Sequence, residues 1–468
     1  MKKFLLIGAT ALMVSNSTFA GGILTNTNQN ATFLRNPARN AAIAIDGVYS
    51  NPAGIAFLPE GFHLSVSWQA AFQKRQMDVN NKLFQMNANN QSADRFFEGE
   101  TNAPVIPSFQ AAYVINDKWS VSAQFAVGGG GGACEFAEGL PMFEELIGSA
   151  AAGINAQINP NSQQFSYNLS QNLTGEQYFY GFQVGGTYKV AENLSVFGGL
   201  RTVIASCNYT GAINNFKVNG IDANNFAPAF GQAYQQYVAA GNVEAATKAG
   251  MVYQLTKEDL TLDCSQSGIG FTPIIGIDWN MGKLNLAAKY EFRTKIELEN
   301  DSKNSSNVDA LMAQYANGAK NRSDIPALLT LGAQYQITDN VRAMVGGVYY
   351  WDKDAKGTPI KEGKNTWEAN FGIEWDVNDK ILLSCGAQRT EYGFDDTDMA
   401  DTNFNTSSYA VAIGGAYKFS EKIKLNVGYM HSFYDNHKFE RTTESGLKTA
   451  CDYTRKNDAV GVSLDIAF

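Results

Sequence analysis

Histidine is the side chain whose ordinary pKa suits acid–base work near neutral pH, and the chain carries three, His63, His431 and His437. Each stands alone. His63 falls on the inward face of a predicted strand. His431 and His437 fall near the outer end of another, where a lone His reads as an interfacial polar residue rather than a base. The acidic run Asp395, Asp396 and Asp398 lies in a predicted loop and reads as solvated charge. The five cysteines, Cys134, Cys207, Cys264, Cys385 and Cys451, are far apart, with no CxxC or Cys/His spacing for a metal. Cys207 and Cys264 could meet as a disulfide across one long loop, or remain buried or loop thiols. The run Gly128-Gly129-Gly130-Gly131-Gly132 lacks the Lys-Ser/Thr that a phosphate-binding loop needs. The sequence therefore points to no catalytic residue, no metal and no cofactor, and the protein is not expected to be an enzyme.

A second set of charges sits at regular intervals inside apolar stretches: Lys289, Glu291, Arg293, Glu368 and Glu374. The elements that hold them alternate strictly. Leu284, Leu286, Ala288, Tyr290 and Phe292 share one face against Asn285, Ala287, Lys289, Glu291 and Arg293. Trp367, Ala369, Phe371, Ile373 and Trp375 oppose Glu368, Asn370, Gly372, Glu374 and Asp376, and Val460, Val462, Leu464, Ile466 and Phe468 oppose Gly461, Ser463, Asp465 and Ala467. A period of two is the signature of a strand with one apolar face. About 14 such strands are predicted, over 60–78, 105–116, 118–131, 176–190, 193–207, 264–280, 283–298, 326–337, 340–354, 366–377, 380–394, 407–419, 422–436 and 457–468.

Connection lengths decide what the strands build. They alternate between tight turns rich in Asn, Asp and Gly, such as Asn116-Asp117, Met281-Gly282 and Asn378-Asp379, and longer loops. Short turns at one rim and long loops at the other mark an outer-membrane barrel. A soluble sandwich has no reason to sort its loops. The predicted fold class is therefore all-β, a transmembrane antiparallel β-barrel whose apolar faces meet lipid and whose polar faces line the lumen. Closure removes the bare strand edges that lipid forbids.

Composition agrees. The chain has 44 Gly, 21 Tyr and 29 Phe with 17% charged residues, and its mean hydropathy of −0.23 hides a membrane protein in which only alternate residues face lipid. The net charge of −9 argues against nucleic acid. Lys2 and Lys3, an apolar run from Phe4 to Val14 and the close Thr18-Phe19-Ala20 read as a secretory signal peptide, residues 1–20. A Gram-negative outer membrane is the expected location, with outer-membrane lipid around a monomer. The terminal aromatic Phe468 is expected to address the barrel-assembly machinery. Two loop stretches, 137–158 and 226–250, show helix-like apolar spacing. Phe143, Leu146, Phe226, Phe230, Tyr234 and Tyr237 either form an apolar ligand-collecting groove among the outer loops or pack on the barrel mouth.

Residues 21–59 precede the barrel of residues 60–468 and lack sustained alternation. They can dangle or fill the lumen. They end Asp46-Gly47-Val48-Tyr49-Ser50-Asn51-Pro52-Ala53-Gly54. Asn51, Pro52, Ala53 and Gly54, just before the first strand, resemble the signature of the FadL/TodX outer-membrane transporters. The resemblance implies a hatch that plugs a 14-stranded barrel, and Arg35-Asn36-Pro37-Ala38-Arg39 departs from the small-residue run expected there. It also implies passive uptake of hydrophobic small molecules, such as long-chain fatty acids or aromatic hydrocarbons. Ligand would be captured among the outer loops, pass the hatch and leave through a gap in the wall where the third strand is kinked. Gly128–Gly132 is the candidate kink, or else a flexible end to that strand. The competing functions are a general porin and an adhesin or structural barrel.

Overall fold

The computed structural model describes residues 23–442 and 446–468. The expected signal peptide, 1–20, lies outside the described residues. Among the described residues eighteen hydrogen-bonded segments form one sheet. Three wall strands are each interrupted once and Ile221–Asp222 is a short pairing in a loop, so the wall has fourteen strands. They are β1 Gly61–Asn80, β2 Asp94–Val114, β3 Trp119–Phe136, β4 Tyr167–Ala191, β5 Leu194–Val218 and β6 Leu260–Met281. Next come β7 (Leu284–Glu291, then Glu297–Ser302), β8 (Lys320–Arg322, then Leu328–Thr338), β9 Val341–Tyr350 and β10 Trp367–Asp376. The last are β11 Ile381–Glu391, β12 Ser408–Ser420, β13 (Ile423–Tyr434, then His437–Thr442) and β14 Lys448–Ala467. Each strand pairs antiparallel with its sequence neighbours, and β1 pairs with both β2 and β14, which closes the ring.

The parity read from the sequence is the parity observed. Trp367, Phe371 and Trp375 are exposed on the outside while Glu368 and Glu374 are buried within. Aromatics crowd the short-turn rim, where Tyr113, Trp119, Trp279, Tyr335, Trp375 and Phe468 are all exposed. A second set, including Phe72, Tyr349, Trp367 and Phe433, lies higher on the wall. Trp367 and Trp375 stand on one face of one strand. Their separation is about 27 Å along the strand at ~3.4 Å per residue, and about 20 Å in height at a tilt of ~40°. That matches the apolar band of a membrane barrel.

The wall is taller on one side than the alternation predicts. β2 starts at Asp94 rather than 105, β4 at Tyr167 rather than 176 and β14 at Lys448 rather than 457, and β5 runs to Val218 rather than 207. These extensions lie towards the long-loop rim. There the outward face turns polar: Lys74 bridges Glu98 and Glu100 at 2.7 Å each. With polar residues outside and apolar residues inside, the apolar/polar sense inverts and the strand signal fades. Inside these extensions lies the largest apolar core, with Phe84, Phe97, Phe136, Phe179 and Tyr209 among its members. Cys134, Cys207, Cys264 and Cys451 are buried in it as free thiols. Cys207 faces Gln266 and Cys264 faces Tyr209 across β5 and β6. The two thiols are thus offset by two residues along neighbouring strands, and they are not bonded to each other.

Candidate functional site

The described part of the N-terminal segment, residues 23–59, is nearly all buried and carries only short helical turns. Backbone polar groups that its own turns leave unpaired are met in part by inward side chains of β1, β4 and β7. Ser67 on β1 takes the Ala31 amide at 2.9 Å. Gln183 on β4 donates to the Val48 carbonyl at 2.8 Å, and Lys289 on β7 to the Tyr49 carbonyl at 2.7 Å. Asn285 on β7 donates to the Ala41 carbonyl at 2.8 Å. A strand parity that reads simply as polar therefore supplies the hydrogen bonds of a folded insert.

The motif Asn51-Pro52-Ala53-Gly54 anchors this insert at the short-turn rim. Asn51 caps the 3-10 turn Pro52–Phe57 by accepting from the Gly54 amide, and Pro52 takes the first position of the turn, where no N–H is needed. The same carboxamide donates to the buried Asp278 carboxylate at 2.5 Å, which Asn285 also reaches at 2.9 Å. Ala53 is fully buried against Phe197 and Ile274. The Pro52 and Ala53 carbonyls accept from Thr187 and Ser195 at 2.9 and 2.7 Å. Gly54 lies against the Asn51 side chain with no room for a Cβ.

The segment that departs from the small-residue pattern has its own reason. Arg35 and Arg39 both reach Glu374 on β10, at 2.7 and 2.9 Å, and Arg39 also grips Asp46. Arg342 on β9 completes the cluster with Glu374 and Asp376 at 2.6 and 2.7 Å. Lys289 and Arg201 share Glu291 at 2.7 and 2.5 Å, and the Lys289 ammonium lies 3.8 Å from the Tyr49 ring centre. Of the five inward charges singled out from sequence, Lys289 and Glu374 bind the insert. Glu291 and Glu368 bind wall residues, Glu368 receiving Tyr350, Gln388 and Thr390. Arg293 falls at the break in β7 and pairs with Asp324 at 3.8 Å.

Sequence reasoning missed a belt of inward glycines. Gly332, Gly346, Gly372, Gly386, Gly414, Gly428 and Gly461 sit on seven consecutive strands, β8 to β14. Each lies where residues 31–41 pass against the wall. A Cβ on Gly428 would be 2.7 Å from the Arg35 amide nitrogen, on Gly386 2.6 Å from Pro37 Cδ, and on Gly332 2.7 Å from the Ala41 nitrogen. The signal was present as one small inward residue per strand, but its meaning needs the insert's path.

The third strand does not end at its glycine run. β3 passes through Gly128–Gly132 to Phe136, with two register shifts against β4, at Val127/Gly129 and Gly130/Gly132. Gly130 and Gly131 have φ of +68° and +127°, which a side chain would disfavour. On the other side, β2–β3 pairing stops at Phe109↔Phe125 and resumes at Thr101↔Cys134. Residues 102–108 and 126–133 are unpaired with each other across this interval. Pro104 and Pro107 lie in it and have no N–H to donate. The insert occupies the freed edge: Asn26 donates from its amide to the Gly128 carbonyl at 2.9 Å and from its side chain to the Val127 carbonyl at 3.2 Å. An apolar cluster lines the inside of the opening, with Phe33, Ala71, Ala103, Ile106, Val127 and Met430.

Two loops are helical as expected: Pro141–Ile158, and a pair Ala227–Ala239 and Val243–Thr256. Phe143 and Phe230 are buried in the large core, with Leu146 and Phe226 packed against it. Tyr234 lies over Gly250 between the paired helices, and Tyr237 is exposed. The six residues thus divide between mouth packing and the surface. The first helix has no cap of its own. Asp401 from another loop accepts its Met142 amide at 2.6 Å, and Arg441 ties Asp401 to Glu145. Burial pushes the Glu144 carboxyl up, against the opposing pull of Asn87, Arg95 and Tyr167. Of the histidines, His63 is buried and bonds the Pro59 carbonyl, while His431 and His437 pair with Asp458 and Asp396.

No family model matches the chain, and no curated protein matches its sequence. Solved structures do match its shape. A FadL homologue from Pseudomonas aeruginosa is 12% identical, aligns over 96% of this chain and 100% of that one, and gives a TM-score of 0.63. The toluene transporter TodX of P. putida is 14% identical over 91% and 94% of the two chains, with a TM-score of 0.55. The toluene transporter TbuX of Ralstonia pickettii is 12% identical over 92% and 98%, with a TM-score of 0.51. At these identities the likeness establishes the fold alone: the chain has the 14-stranded barrel fold seen in the FadL homologue and the toluene transporters.

Proposed function

We propose that this protein carries small hydrophobic molecules passively across the outer membrane of a Gram-negative cell, with residues 23–59 acting as a hatch. The observation that carries the reading is the conjunction of a filled lumen with an apolar-lined lapse in the β2–β3 wall. A filled lumen opposes a water-filled porin. An apolar solute in water favours an apolar surface by about 25 cal/mol per Å² of apolar area, so an apolar path that ends at the wall returns it to hydrocarbon without a water step. The outer-loop helices are the capture surface, Gly128–Gly132 the kink that opens the wall, and Asn51–Gly54 the fixed foot of the hatch. No chemistry is asked of the protein. The similarity in shape to a FadL homologue and to toluene transporters supports the ligand class.

The test is a titration of the purified, detergent-solubilised protein with a fluorescent long-chain fatty acid, competed by unlabelled acid and by toluene. Saturable binding that either competitor displaces is expected. Absence of saturable binding, together with large steady ion conductance in planar bilayers, would replace the transporter by a porin.

A further inference from the structure

The lapse in the wall is bordered by aromatic rings on its lipid side. Phe109 and Phe125 meet at its lower edge, where β2–β3 pairing stops, with ring centres 6.4 Å apart. Phe125 continues to Tyr180 at 6.2 Å and an interplanar angle of 13°, and Tyr180 to Tyr178 at 5.4 Å and 7°. Phe182 backs Phe125 at 4.8 Å. The rings form a ladder that climbs the β4 side of the opening, since Tyr180 pairs with Val127 and Tyr178 with Gly130.

Two features separate this ladder from an ordinary interfacial girdle. First, Tyr178 and Tyr180 are half-buried, whereas Phe182 and Val184, further down the same face, are 47% and 61% exposed. Second, the two tyrosines pack against the inner apolar cluster of Phe33, Ala103, Ile106 and Val127. Val127, the cross-strand partner of Tyr180, joins the tyrosines to that cluster. Val127, on the outward parity of β3, is only 3% exposed beneath them. Among the described residues neither tyrosine hydroxyl has a hydrogen-bond partner. The near-parallel rings form a continuous aromatic surface beside the opening.

We propose that Tyr178 and Tyr180 are specificity-determining residues of the lateral exit, and that they favour ligands with a planar aromatic ring over saturated acyl chains. The inference rests on the transport reading above and narrows its substrate class. The physical basis is that offset stacking adds to plain area burial only when the ligand also has a ring. A flexible chain gains contact area alone, which a leucine supplies equally well.

The test compares uptake of radiolabelled toluene and of radiolabelled oleate by cells lacking their own fatty-acid transporter. These cells express the wild type, Tyr178→Leu/Tyr180→Leu, Tyr178→Phe/Tyr180→Phe, or empty vector. Leucine is compatible with a lipid-facing site, and heat-modifiable gel migration checks that each barrel is folded. The expected result is a toluene rate lowered about five-fold in the leucine variant, a much smaller change in oleate, and recovery of at least half the lost toluene rate in the phenylalanine variant. Equal losses for both solutes, or no loss, in a folded leucine variant with an active wild type would overturn the ladder and leave the transport reading standing. Wild-type uptake of both solutes no faster than empty vector would overturn both.

Discussion

Asn51 is the residue on which most of the insert's foot depends. Its carboxamide oxygen caps a turn while its nitrogen holds a buried carboxylate on β6. Replacing it by Ala removes the cap and leaves Asp278 with Asn285 as its remaining side-chain donor. Loss of one partner of a buried polar pair costs about 1–3 kcal/mol, whereas removing both partners can be nearly neutral. Asn51→Ala is therefore expected to make residues 23–59 protease-sensitive at lower temperature while the barrel keeps its heat-modifiable migration. Asn51→Ala/Asp278→Ala should lose less than the two single variants combined. Additive losses would show that the contact contributes nothing. The importance of Asn51 was legible from its motif. Glu374 was singled out as an inward charge, but its pairing with Arg35 and Arg39 was not legible, because the partners are separated by more than three hundred residues and nothing local marks them as a pair.

Among the elements, the strands were legible wherever one face met lipid. A period of two is imposed by the backbone itself and shows within a single strand. The period persists in β2 from Asp94 to Pro104 and in β5 beyond Cys207, but its apolar/polar contrast weakens or reverses there, where the wall leaves the apolar band and the outward face becomes largely polar. The break in β7 carries no composition signal, whereas those in β8 and β13 hold Pro326 and Asp435-Asn436, which the alternation places inside strands. The glycine belt gives a test at this scale. Gly428→Val would push a side chain into the backbone of Leu34 and Arg35, whereas a Cβ on Gly198 of β5 meets nothing within 4 Å. We expect Gly428→Val to expose the insert to protease and raise ion conductance, and Gly198→Ala to do neither. If both variants behave alike, the belt is not a seat for the insert.

At the level of the whole molecule, the barrel and the insert are separable in principle. Outside the β2–β3 lapse each wall strand finds its backbone partners in its two neighbours, so residues 23–59 are needed by the sheet only where Asn26 takes the Val127 and Gly128 carbonyls. The inward face meets them through Lys289, Glu374 and Asp278, charged groups that water would hydrate in their absence. Deleting residues 23–59 is therefore expected to leave a folded barrel that conducts ions steadily in planar bilayers, far above the full-length protein. A deletion variant that stays closed would place the barrier in the outer loops, where the Pro141–Ile158 helix is latched by Asp401 and Arg441.

The sequence by itself determined which residues face lipid, how many strands there are and at which rim the long loops lie. These follow from backbone periodicity and connection length, which are read over ten residues or so. Only the tertiary structure decided where the wall lapses and how the insert lies, because closing the ring sets β1 beside β14 and brings Asn26 to Gly128 and Arg35 to Glu374. It also decided that Phe143 and Phe230 turn into the mouth rather than outward. A helix's apolar stripe states that it must be covered, and what covers it depends on how high the neighbouring strands rise.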